Sequence, residues 1–215
     1  MSKKTDQLID TMAANLSPTP ARSLEKRLGR SLLSGLLISA LIMMIALGVR
    51  HDLVTALGGF TFWMKLSYAA SLASIALPTA FDLTRPDAPP PRRLWLAAVP
   101  LLAIALIALG EATRTPPGGR AALWLGTSWK ACPFLLFGLA LPILLLVLRA
   151  SRRLAPADPR AAGGAAGLTA GAFATLIYCL HCPETSAGFV LIWYNAGIGL
   201  ATLAGSLLGP RLLRW

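Results

Sequence analysis

The stretch Tyr178-Cys-Leu-His-Cys-Pro-Glu-Thr-Ser-Ala-Gly-Phe-Val-Leu-Ile-Trp-Tyr-Asn195 packs two thiols, an imidazole, a proline and a carboxylate into the six positions from Cys179 to Glu184. Long apolar runs flank it on both sides, which predicts a helical hairpin with its reactive groups at the tip. Outward from this hairpin, apolar runs recur at 31–49, 60–81, 94–110, 133–148, 162–180 and 186–208. Each approaches the roughly 20 residues needed to cross a hydrocarbon core of about 30 Å. The fold class is therefore all-α: a polytopic membrane protein with a six-transmembrane-helix bundle.

Composition agrees. Of 215 residues, 55% are apolar and only 13% charged, and the mean hydropathy is +0.64. Soluble domains carry about 25% charged residues. The net charge of +11 is explained by basic residues that orient membrane helices, so no direct nucleic-acid partner is expected. Three cysteines are too few for a disulfide scaffold. No cleavable leader is expected, because a polar tail of about thirty residues precedes the first apolar run.

Lysine and arginine set the orientation. With residues 1–30 inside, the inside segments hold fifteen and the outside segments four, and Lys65 lies within a span. That asymmetry predicts both termini in the cytoplasm. In a bacterial inner membrane Cys132, Cys179 and Cys182 then sit at the oxidising periplasmic face. The chain divides into a cytoplasmic tail, 1–30, and a transmembrane part, 31–215. In the tail, Leu8, Ile9, Met12 and Leu16 line one face of a short amphipathic helix that Pro18 and Pro20 terminate. Such a stripe fits a partner's groove, and the basic residues after it fit lipid headgroups.

Within the spans, Gly163, Gly167 and Gly171, and Gly197, Ala201, Gly205 and Gly209, recur every four residues. Small residues at that spacing let two helices approach closely in lipid. Lys65 is expected to snorkel to the headgroups as a structural residue, and Glu111 to be solvated at the outer interface. Glu184 is placed at the positive end of the sixth span. Trp124 and Trp129 suit the membrane interface.

Gly126-Thr-Ser-Trp-Lys-Ala-Cys-Pro133, Leu180-His-Cys-Pro-Glu184, Trp193-Tyr194, Gly209-Pro-Arg-Leu-Leu-Arg-Trp215 and an early Leu8-Ile-Asp10 occur in this order along the chain. Together they resemble the NrsF family, six-helix inner-membrane anti-sigma factors of proteobacteria. The resemblance implies that the tail sequesters an extracytoplasmic-function sigma factor and that Cys132 and Cys182 are sensory thiols. Cys179 stands where the family pattern usually has a small residue such as Ala, and the tail is longer and more basic than the pattern.

Thiols beside an imidazole can do redox chemistry or take a thiophilic metal. A Cys132–Cys182 bridge would close a loop of about fifty residues and tie two helices together, whereas Cys179–Cys182 would join consecutive turns of one helix end. Cys132, Cys179, His181 and Cys182 are also candidate sulfur and nitrogen ligands. Their spacing matches no tight zinc motif, so transient capture of a thiophilic metal at Cys132 and Cys182 is favoured over a permanent ion. The plainer roles are a buried apolar residue for Cys179 and a turn-bonding polar residue for His181. No cofactor and no catalytic residue are expected. The expected function is release of the sigma factor when oxidant or heavy-metal stress reaches the thiols. A quinone-linked thiol oxidoreductase usually needs four cysteines. A small transporter would need ionisable residues near the midplane, where only Asn195 stands out.

Overall fold

A computed structural model describes residues 3–14, 21–86, 88, 90–152, 154 and 156–213. A tail helix, Lys3–Ala14, comes first. Six helices follow that are long and apolar enough to cross a membrane: Lys26–Leu47, Phe60–Leu83, Arg92–Arg114, Cys132–Ser151, Pro159–Tyr178 and Ala187–Leu212. They are called the first to sixth spans. No strand occurs among the described residues.

The spans run longer than the apolar runs alone predict. A helix begins at Ala21 and continues into the first span without a break at Arg30, and Leu28 is already buried. The third span starts with 3-10 turns over Arg92–Ala97, directly after prolines that cannot donate to a preceding turn. The fourth begins at Cys132 itself, with Pro133 in the first turn, where a missing N–H costs nothing.

The fifth span is the hub. It packs along the sixth, the second and the fourth, while the first lies against the fourth. Its small-residue face lets the sixth span come close: a Cβ on Gly163 would strike the Gly205 carbonyl, and one on Gly167 the Ala201 carbonyl. The first and fourth spans meet in the same way at Gly35, where an added Cβ would lie 2.7 Å from Ile143 Cα. Ser39 Oγ donates to Leu139 O across that seam at 2.7 Å.

The third span is held mainly at its ends. Arg93 pairs with Asp82 at 3.0 Å at one end, and Glu111 bonds the start of the sixth span at the other. Between them a groove of about 430 Å³ opens against the second span, lined by Met64, Tyr68 and Ile104 among others. The first and sixth spans each contain one wide π turn, Met43–Leu47 and Val190–Tyr194. Both lie at the end of the bundle that carries the cysteines.

Candidate functional site: a buried thiol cluster

The fifth span ends in tightening turns. Cys179 N still donates to Thr175 O at 3.0 Å, while His181 N and Cys182 N both donate to Tyr178 O at 3.0 Å. Pro183 then stops the helix. The fold sets Cys132, the first residue of the fourth span, against this turn. Cys132, Cys179 and Cys182 are all 0% exposed and all free thiols. Cys132 and Cys182 lie beside each other, with the Tyr178 hydroxyl close to both. Cys179 and Cys182 share only Coulombic reach, with Tyr194 beside them.

Two carboxylates fasten the surrounding loops, and each does something other than the sequence predicts. Glu184 does not cap the sixth span. Its Oε1 accepts from Thr127 N and Oγ1 at 2.7 Å each, and from Ser128 N and Oγ at 3.0 Å each. Burial pushes this carboxyl up, but the Thr127 and Ser128 donors outweigh it and hold it below its ordinary value. Gly126, with φ of +56°, makes the turn that aims these donors; a Cβ there would lie 2.6 Å from Glu184 Oε2 and from the Phe189 ring. Glu111, expected to be solvated, accepts from Ala187 N at 2.9 Å and Ser186 Oγ at 3.1 Å, so it caps the sixth span. The reason is topological: the turn at Pro183 delivers Glu184 to the 126–128 loop, and the end of the third span delivers Glu111 to the helix start.

Lys65 is also corrected. It does not snorkel: it is 0% exposed, and its ammonium donates to Cys182 O at 3.0 Å and Glu184 O at 2.7 Å. The turn after Tyr178 leaves those carbonyls without helical donors, and the lysine supplies one.

His181 turns to the first span: its Nδ1 lies 2.9 Å from Gly48 O. Arg50, just beyond that span, donates its backbone N–H to Leu180 O at 3.1 Å and its guanidinium to Cys182 O at 3.3 Å. Asp52 bonds the same guanidinium at 2.6 Å; this raises Arg50 and holds Asp52 down at about 2. The Trp129 ring packs against Trp193, tilted by 43° at 5.2 Å, and Trp193 Nε1 donates to Trp124 O at 2.8 Å, so both loop tryptophans contact the sixth span.

The two outer thiols differ. Cys132 beside it, with help from Lys65, holds the Cys182 thiol below its ordinary value against its burial. Burial pushes Cys179 up to about 12. Among the described residues no three His, Cys, Asp or Glu side chains converge to hold a metal ion, and His181 is committed to Gly48. Of the expected partner-binding residues, Leu8, Ile9 and Met12 fall in the tail helix, with Met12 63% exposed. Leu16 and the side chains of Leu8 and Ile9 lie outside the described residues. Local sequence reasoning assigns no role to Arg50, Tyr178 or Tyr194, although Trp193-Tyr194 is among the motifs that carry the resemblance. Lys65, a lysine inside a span, was visible but lacked a visible partner.

The sequence matches the family described as NrsF, negative regulator of sigma F, over residues 12–215. The chain belongs to the NrsF family. It is 40% identical over 215 residues to the probable anti-sigma-F factor NrsF of Azospira oryzae, covering 99% of this chain and 100% of that one. It is 36% identical over 219 residues to the anti-sigma-F factor NrsF of Caulobacter vibrioides, with the same coverage. No solved structure matches.

Proposed function

We propose that this NrsF-family chain is a membrane-bound anti-sigma factor, a regulator rather than an enzyme. Its tail holds a sigma factor of the extracytoplasmic-function class at the inner membrane, and attack on Cys132 and Cys182 by an oxidant or a thiophilic metal ion releases it. Both termini lie in the cytoplasm and the thiols at the periplasmic face, as the fifteen-to-four distribution of basic residues supports. The relatives' names supply the partner class: both are called anti-sigma-F factors.

One observation carries this reading. The first span, which leads directly from the tail, is bonded to the thiol turn through Gly48 and Arg50. Cys132 in turn heads the fourth span, which packs along the first. Modification of either sulfur enlarges a fully buried group, so the turn is expected to shift and take the top of the first span with it. A stimulus moves such an equilibrium only through its differential affinity for the two arrangements. Covalent thiol chemistry readily supplies that difference.

The test has two arms. In cells exposed to oxidant or heavy metal, the double substitution C132S/C182S is expected to abolish release, read by a sigma-dependent reporter; an intact response would refute the sensing role. Deleting residues 1–20 is expected to switch the reporter on without stress, and continued inhibition would refute the docking role.

A further inference from the structure

The thiol cluster contains two donors that its neutral groups leave unanswered. Lys65 is fully buried, yet its ammonium bonds only the carbonyls of Cys182 and Glu184. Lys65 takes part in neither the Arg50–Asp52 nor the Arg93–Asp82 ion pair. The Tyr194 hydroxyl is also fully buried, and no other buried side-chain nitrogen or oxygen among the described residues lacks a hydrogen-bond partner. A buried cation without a counter-ion and a buried hydroxyl without an acceptor each cost free energy. Both lie within electrostatic reach of the Cys182 sulfur.

We infer that Lys65 and Tyr194 form an anion-stabilising pair that makes Cys182 the reactive sulfur of the cluster. The inference rests on Cys132 and Cys182 being the working thiols. Loss of the Cys182 proton answers both donors at once, giving the ammonium a counter-charge and the phenol an acceptor. The other groups around Cys182 do not compete for this role. Arg50 is neutralised by Asp52, Glu184 is engaged by Thr127 and Ser128, and His181 is bonded to Gly48. Tyr178 reaches Cys132 as well as Cys182, and burial keeps Cys179 protonated. Lys65 and Tyr194 are thus positioning residues, acting on a reagent only through Cys182.

The test is alkylation of full-length protein in detergent, followed by mass spectrometry. One version keeps only Cys182 (C132S/C179S) and the other only Cys132 (C179S/C182S). Each is treated at one pH with neutral iodoacetamide and with anionic iodoacetate. The sulfur–carbon bond forms as the carbon–iodine bond breaks; iodide leaves and the thiol proton goes to solvent. The opening that admits reagent to a buried thiol is common to both compounds, so the ratio of the two rates reports local charge. Cys182 is expected to react at least about tenfold faster than Cys132. K65M is expected to slow Cys182 by about tenfold or more and to lower the iodoacetate-to-iodoacetamide ratio, and K65R to restore both. Y194F is expected to slow it by about fivefold, the worth of one hydrogen bond.

Unchanged rate and ratio in K65M overturn the inference. If K65M does not fold, the two single-cysteine proteins, both retaining Lys65, decide it: a faster Cys182 supports the pair, and equal or reversed rates overturn it. A stress response that survives C132S/C182S removes the sensing role without touching these rates, so the two failures are distinguishable.

Discussion

Replacing Glu184 with alanine removes one oxygen that accepts four hydrogen bonds. Two donors are hydroxyls, which can turn to water. The other two are the backbone N–H groups of Thr127 and Ser128, fixed in a loop that Gly126 shapes. A hydrogen bond to a charged group contributes about 1.5–3 kcal/mol when buried. The site is open enough to the surface for water to replace part of that, so E184A is expected to cost about 2–3 kcal/mol in all. E184Q keeps an acceptor without its charge and is expected to cost about half as much. The loop carries Trp129 and leads into Cys132, so the first thing to loosen is the contact between Cys132 and the Cys182 turn. Thermal melts in detergent, read by a thiol-reactive fluorophore, register the loss as earlier exposure of the buried cysteines. Because Glu184 titrates below its ordinary value of 4.5 in the folded protein, its contribution is present above pH 4.5 and lost as the pH falls through the lowered value. Wild-type and E184A melts are therefore expected to differ at pH 7 and to converge in acid. Melts that superimpose at pH 7, or that stay equally separated in acid, would refute this account of the latch.

G167V places a branched side chain against the Ala201 carbonyl. It is expected to cost about 3 kcal/mol or more, read as loss of monodisperse protein after extraction. R50A removes the guanidinium bond to Cys182 O and is expected to weaken reporter release under stress while leaving repression in unstressed cells intact. C179S is expected to leave the stress response unchanged, because burial raises that thiol and disfavours its reactive thiolate. Correspondingly, alkylation of folded protein at pH 8 should label Cys179 last among the three cysteines. E111A removes the cap on Ala187 N and is expected to cost about 1 kcal/mol, read in the same thiol-exposure melt.

The six spans were legible because burial in lipid demands unbroken apolar length, and apolar length is a local property. The close contact of the fifth and sixth spans was legible for a similar reason. A small residue every fourth position, as at Gly163, Gly167 and Gly171, permits little except a close helix contact. Lys65 shows where this kind of inference stops. Its partners lie 117 and 119 positions away, and no periodicity within the second span announces carbonyls at the end of the fifth. Locally, Glu111 reads as a solvated interface residue and Glu184 as a carboxylate placed at the positive end of the sixth span. Local charge rules cannot say which loop a turn delivers its carboxylate to, so Glu111 holds the helix start and Glu184 the loop. The Gly48 and Arg50 links to the turn at His181 are likewise invisible, being bonds onto backbone carbonyls of distant segments.

The complete burial of all three thiols has a kinetic consequence. No reagent can reach Cys182 until the turn and its loops part, so the observed rate of modification is the opening equilibrium multiplied by the intrinsic reactivity of the sulfur. Every 1.4 kcal/mol by which the Glu184 or Glu111 fastenings are weakened multiplies that rate by about ten, with the thiol chemistry unchanged. The gain of the device is therefore written in its latches rather than in its cysteines. Family members with identical thiols can differ by orders of magnitude in the dose of reagent they answer to.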